Sequence, residues 1–276
     1  MTWISDDAVA RLRDAAERPD LSGTRYELIR ELGRGGMGVV YEVRDHALER
    51  NVAMKVVDDD CCSEARIIAG LEHPGIVPVH DAGTLPDGRL YYTMKLVRGA
   101  RLDRWLREER SMTDALRVFT RVCEAVAFAH ANDVVHRDLK PQNVMVGEFG
   151  AVLVMDWGVV AVQGTEGFMA PEQSRDARSD IYALGAILKF LIGENAARAL
   201  NAICAKAMAS DRELRYGSAR ELGEDVLRYL DGEPVSAYRE NLAERAGRWI
   251  ARNRVLLAII AAYILMRAIV FFWMRL

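Results

Sequence analysis

Eight consecutive residues, His136-Arg137-Asp138-Leu139-Lys140-Pro141-Gln142-Asn143, gather side chains able to move a proton, neutralise an anion and hold a cation. An Asp carboxylate accepts a hydroxyl proton, and a Lys two positions on offsets phosphate charge. An Asn five positions after the Asp offers a hard amide oxygen to a metal ion. A run of this kind suits phosphoryl transfer, where positioning and charge neutralisation do most of the work. A bare His-Arg-Asp tripeptide carries little information; the octapeptide, taken with the motifs in order around it, carries much more.

Upstream, Gly33-Arg34-Gly35-Gly36-Met37-Gly38 satisfies G-x-G-x-x-G, in which missing Cβ atoms let backbone N–H groups approach phosphates. The same spacing fits a dinucleotide-binding fold, and Asp58, 20 residues after Gly38, stands near the place of a ribose-binding acid. That fold needs a helix to start at Gly38. Val39-Val40-Tyr41-Glu42-Val43 predicts a strand instead, and no series of βαβ units follows. A Walker loop is excluded because no Gly-Lys-Ser/Thr follows the glycines. Val52-Ala53-Met54-Lys55 sets an ammonium on a second strand, with Glu64 as the helix carboxylate that fixes it. Asp156-Trp157-Gly158 adds a hard oxygen ligand beside a residue that lets the backbone turn.

The elements that must position these groups fall into two kinds. Strands are expected at Val39–Val43, Val52–Val57 and Leu90–Met94, with one helix at Ser63–Leu71. From Leu102 the periodicity turns helical, with helices over Ala115–Ala131, Asp180–Ile192, Asn201–Met208 and Leu222–Leu230. A polar helix is expected at residues 5–18, with Ser5 as its N-cap. No internal repeat or low-complexity linker is present. The fold class expected is α+β: a bilobal architecture with a small β-rich N-terminal lobe and a helical C-terminal lobe. It divides as 1–23 helical extension, 24–97 first lobe, 98–233 second lobe, 234–254 basic juxtamembrane segment and 255–274 transmembrane helix.

In that order, across about residues 26–232, the motifs resemble the bacterial eukaryotic-like Ser/Thr protein kinases. The resemblance implies ATP and Mg²⁺ as cofactors and transfer of the γ-phosphoryl group to a protein hydroxyl. Asp138 is then the catalytic base and Lys140 its partner, a residue that favours Ser/Thr over Tyr substrates. Asn143 and Asp156 become the metal ligands. The nucleotide falls to Gly33, Gly35, Gly36, Gly38, Val40, Lys55 and Glu64. Ala53 and Met145 sandwich adenine, Met94 is the gatekeeper, and Lys95 to Val97 form the hinge. Gly164-Thr165-Glu166-Gly167-Phe168-Met169-Ala170-Pro171-Glu172 resembles the end of the activation segment. Arg215 is expected to pair with Glu172, and Asp180 to brace the catalytic loop.

Several segments are shorter than in relatives. Glu64 follows Lys55 by nine residues, and Val159–Met169 holds one hydroxyl, Thr165. Activity is therefore expected not to require phosphorylation there. Little room remains after Gly193 for a further helix of the substrate platform. These losses spare the nucleotide site, so the alternative is a non-catalytic nucleotide-binding scaffold at the membrane.

The 276 residues carry a net charge of -3, which offers nucleic acid no global attraction. Four cysteines without zinc or disulfide spacing fit a reducing cytosol; Cys61-Cys62 reads as two small residues at a helix entry. The first residues carry no apolar run, so no secretory signal is expected. Val255–Met274 is apolar except for Arg267, about 20 residues or roughly 30 Å of helix, enough to cross a bilayer. Arg239, Arg245, Arg248, Arg252 and Arg254 precede it and mark the cytoplasmic side. The expected placement is single-pass in the cytoplasmic membrane, with the kinase lobes in the cytoplasm. The expected partners are a protein substrate and membrane lipid, with a homodimer left open. The chain reaches only Leu276, so a signal is expected through the membrane segment, the N-terminal helix or a partner.

Overall fold

Strand alternation in the first lobe sorts side chains onto two faces, and that sorting builds one wall of the cleft. The computed structural model describes residues 18–35, 38–57, 62–157, 167–172 and 176–274, without the side chains of Cys62, Ser63, Glu64, Ala251 and Phe272. The expected helix at residues 5–18 falls almost wholly outside these; Asp58, Cys61, Gly36 and the segment 158–166 with Thr165 lie wholly outside. Strands β1 (Tyr26–Gly35), β2 (Gly38–Asp45), β3 (Arg50–Val57), β4 (Val79–Thr84) and β5 (Leu90–Met94) form an antiparallel sheet in the order β1-β2-β3-β5-β4. On one face Tyr26, Tyr41, Val43, Val52, Met54, Val56 and Leu85 make a small core. The two-residue period of β3 turns Ala53 and Lys55 the other way. There Ala53, Tyr92 and Met94 join the main core, with Val40 packed against it.

Of the glycine motif, Gly33 and Gly35 end β1 and Gly38 opens the antiparallel β2, where Gly35 pairs with Gly38. An antiparallel pair is incompatible with the strand-to-helix turn of a dinucleotide fold. Gly38 has φ 116°, and a Cβ there would overlap the carbonyl oxygen of Val56 on β3. Gly38→Ala is expected to lose about 1–3 kcal/mol from this strain, read as a lowered midpoint in thermal unfolding.

Helix α1 (Cys62–Ala69) lies between β3 and β4. The second lobe contains α2 (Leu102–Trp105), α3 (Met112–Ala131), α4 (Ala177–Ile192), α5 (Arg198–Ala207) and α6 (Ala219–Leu230), with a small sheet β6 (Gly99–Arg101), β7 (Val144–Gly147) and β8 (Val152–Val154). Four of these helices begin three residues before the apolar periodicity predicts. Their first turns are polar, and three are opened by side-chain caps instead. Ser111 accepts from the Asp114 N–H, Asp176 from Arg178 and Ser179, and Ser218 from Glu221. Gly185 lets α4 approach α5, since a Cβ there would sit 2.7 Å from that of Ala207. Only residues 193–197 separate these two helices, in keeping with the expected loss of platform.

Packing continues past α6. Val235 is buried, and Asp225 accepts from the N–H of Ser236 (2.6 Å), its hydroxyl (2.8 Å) and the N–H of Ala237 (3.1 Å). Two further helices follow, α7 (Leu242–Arg252) and α8 (Arg254–Trp273), broken at Asn253, which caps Trp249. Helix α8 is long and apolar enough to cross a membrane, and none of its apolar window is buried.

Candidate active site

The loop bearing Asp138 is held by a buried carboxylate on the helix behind it. Asp180, in the first turn of α4, is 1% exposed and would be costly there without donors. It receives the N–H of His136 (2.8 Å) and of Arg137 (3.0 Å), and its Oδ2 lies 2.8 Å from Nε2 of His130. Two consecutive amides converge on one carboxylate, and Arg137 is held at φ 72°, a conformation rare for a non-glycine residue. The expected brace is present, and His130 is an addition that a linear motif does not disclose.

His136 ties the loop to the segment after β8 that bears Asp156. Its Nδ1 accepts from the Asp138 N–H (3.3 Å), which leaves Nε2–H to donate to the Met155 carbonyl (2.8 Å). Complete burial pushes its pKa down and keeps the ring neutral, as this acceptor-and-donor role requires. Trp157 is fully buried 4.8 Å from the His136 ring, and its indole N–H donates to the Val154 carbonyl (3.0 Å). The bulk and the N–H that distinguish Trp from Phe at this place are both accommodated. The Met155 N–H in turn donates to the Asn143 carbonyl (2.8 Å), joining the two loop segments directly.

Asp138, Lys140 and Asn143 form one cluster. Lys140 Nζ lies 2.7 Å from Asp138 Oδ2, and Asn143 Nδ2 donates to the Asp138 carbonyl (2.8 Å) and more weakly to Oδ2 (3.3 Å). With its nitrogen end turned to Asp138, the amide has its oxygen end for a metal. Asp156 supplies a second hard oxygen from a left-handed backbone position, φ 55°. The pair fits Mg²⁺ chemically, since that ion takes a few protein oxygens and leaves the rest to water and phosphate. Lys55 is 4% exposed, and its Nζ reaches Asp156 Oδ1 at 3.1 Å across the cleft. Sequence spacing led to Glu64 as its partner. The backbone of Glu64 sits on α1, but its side chain lies outside the described residues.

The remaining expected nucleotide positions line the same wall. Gly33 pairs with Val40, Val40 with Lys55, and Ala53 with Met94. Met145 enters from β7, opposite Leu153 on β8, and is half-buried. At the lobe junction the Lys95 N–H is taken by the Pro78 carbonyl (3.2 Å). Among the described residues, the Lys95 carbonyl and the Val97 N–H find no backbone partner, leaving one acceptor and one donor that fit the edge of a purine.

Below the cleft, Arg215 grips Glu172 through two hydrogen bonds (2.6 and 2.7 Å) and donates to the carbonyls of Ala209 (2.8 Å) and Arg178 (3.0 Å). Its guanidinium lies over the Tyr182 ring, 5.1 Å from the centroid. The expected ion pair is therefore present; its buried partner is Arg215, whose guanidinium makes four hydrogen bonds, and a buried charge needs such partners to avoid a net cost. Arg215 holds the Glu172 carboxyl below the usual carboxylate range. A carboxylate depressed by folding stabilises above its unfolded value, and the contribution fades as pH falls through the folded one. Denaturation midpoints should therefore drop in that acid window, and Glu172→Gln should flatten the drop.

A family model described as Protein kinase domain matches residues 26–214. Among curated relatives, Serine/threonine-protein kinase PknB of Mycobacterium tuberculosis (strain ATCC 25618 / H37Rv) is 35% identical over 281 residues, covering 79% of this chain and 45% of the relative. Serine/threonine-protein kinase PknD of Chlamydia felis (strain Fe/C-56) is 29% identical over 319 residues, covering 85% of this chain and 34% of the relative. The chain thus spans less than half the length of these curated relatives.

Proposed function

The chain belongs to the protein kinase domain family, and on that premise we propose that it is a membrane-anchored Ser/Thr protein kinase using ATP and Mg²⁺. The observation that carries the reading is the Asp138–Lys140–Asn143 cluster facing the Lys55–Asp156 pair. Asp138, oriented by Lys140 and Asn143, would receive the substrate hydroxyl and take up its proton as the oxygen attacks the γ-phosphorus, the bond to the β,γ-bridging oxygen breaking and ADP leaving. Lys140 offsets charge developing on the transferred group, and Lys55 holds the α- and β-phosphates. Asn143 and Asp156 would hold Mg²⁺, which when bound neutralises phosphate charge. Adenine would lie between Ala53 with Val40 above and Met145 below, its edge on the Lys95 carbonyl and the Val97 N–H, with Met94 behind. Gly33, Gly35, Gly36 and Gly38 would cover the phosphates.

For placement, α8 would span the membrane with both lobes in the cytoplasm, where ATP is available. The direct test is transfer of labelled γ-phosphate by the full chain to itself or to a generic Ser/Thr substrate protein, with Asp138→Asn as control. Equal transfer by both proteins would refute the assignment. A nucleotide-binding scaffold is the second reading, and the short 193–197 link between α4 and α5 favours it. Magnesium-dependent ATP binding with no transfer to any hydroxyl would decide for it.

A further inference from the structure

Helix α7 is amphipathic, and it packs the opposite way round from a helix on a soluble protein. At 100° per residue, Leu242, Ala246, Trp249 and Ile250 share one face, while Glu244, Arg245, Arg248 and Arg252 share the other. The polar face is the one turned to the lobe. Arg248 forms a pair of hydrogen bonds to Glu240 (2.5 and 2.9 Å), and the Tyr238 hydroxyl donates to both oxygens of Glu244 (3.0 and 3.1 Å). Arg198 on α5 lies 3.7 Å from Glu244, and Arg252 lies 4.0 Å from Glu233. A capping box between Asn241 and Glu244 fixes where the helix starts. The apolar face is left outward, with Leu242 83%, Trp249 58% and Ile250 53% exposed.

We propose that α7 lies in the plane of the membrane interface with this apolar face in the lipid, docking the second lobe on an anionic bilayer surface in one orientation. The inference rests on the reading of α8 as a membrane span and goes beyond it. Two observations select lipid as the occupant. The apolar face leads within one residue, Asn253, into α8, which is apolar on every side except at Arg254 and Arg267 and has none of its apolar window buried. Arg239 and Arg254 are exposed at its two ends and Arg245 is exposed where the two faces meet beside Trp249, which suits phosphate headgroups and opposes an unscreened pairing of two such faces. Trp249 brings an aromatic ring with a polar N–H, the residue type favoured at the headgroup level. The lobe-facing ion pairs then act as a clasp, so the cleft would face the membrane at a fixed angle rather than swing on a tether.

The test uses the full chain in vesicles of phosphatidylcholine with and without phosphatidylglycerol, including lipid brominated near the headgroup end of the acyl chains. Quenching of tryptophan emission is compared between the parent chain and Trp249→Phe, so that the other tryptophans cancel. The expected result is a quenched component present in the parent, absent in Trp249→Phe, and larger with phosphatidylglycerol unless Arg245→Glu is also made. Equal quenching in parent and variant would overturn the proposal. So would a disulfide-linked dimer forming through Ile250→Cys and not in the parent, which gives the face to a second copy. Carbonate extraction run in parallel separates the two readings. Resistant protein with equal quenching sinks only the interfacial helix, whereas extractable protein sinks the span.

Discussion

Asp138→Asn is expected to lower the rate of phosphotransfer about 10²–10⁴-fold while leaving ATP binding intact or slightly tighter. In the parent, Oδ2 of Asp138 takes both the Lys140 ammonium and the Asn143 amide. An Asn in its place keeps one oxygen for those donors and turns an NH₂ toward the incoming hydroxyl. The geometry survives, but the proton acceptor and one negative charge near the phosphates are lost. Binding and transfer are thereby separated, which a misfolded variant does not do. Lys55→Met gives the complementary result. It removes the cation that reaches Asp156 across the cleft, so productive use of ATP should fall together with order between the lobes. Single-turnover transfer and equilibrium binding of a fluorescent ATP analogue measure the two quantities. If Asp138→Asn transfers phosphate at the parent rate, another group is the base and the cluster has been misassigned.

The grouping of side chains in the cleft is legible in the sequence because it depends on short spacings. The two-residue period of β3 fixes that Ala53 and Lys55 share a face, and the loop Asp138–Asn143 fixes its own cluster. The Arg215–Glu172 and Asp180 pairings were also legible, because ordered motifs located both partners. Less was legible where the partner lies far off along the chain and follows no motif. His130 on α3 is an ordinary helical His until α4 brings Asp180 to it. The Lys55–Asp156 pair joins residues 101 apart and exists only once the lobes close on each other. Helix starts were misjudged for a local reason: Ser111, Asp176 and Ser218 cap first turns with little apolar content, which periodicity alone passes over. The arginines of 234–254 read only as a basic juxtamembrane segment, and α7 with its two faces is not legible there, because Glu240, Glu233 and Tyr238 draw the polar face inward and leave the apolar face out.

Deleting residues 255–276 is expected to move the protein from the membrane-resistant to the carbonate-extractable fraction, while it still binds ATP with Mg²⁺. Eleven Leu, Ile, Val and Phe residues in the span contribute roughly -5 kcal/mol of insertion free energy on the translocon scale. Arg267 opposes this by about 3 kcal/mol if central, and by less where its long side chain reaches the nearer headgroups, toward which its position in the last third of α8 points it. The balance favours the bilayer without help from α7. Helix α8 contributes nothing to the lobe interior, so its loss leaves the cleft untouched. A truncated chain that no longer binds nucleotide would mean that α8 supports the fold, and a full chain stripped by carbonate would mean that it does not span. If α7 also docks on lipid, the truncated chain should keep a weak affinity for anionic vesicles, reversed by salt, because the exposed arginines act through screened charge while the apolar face alone is small.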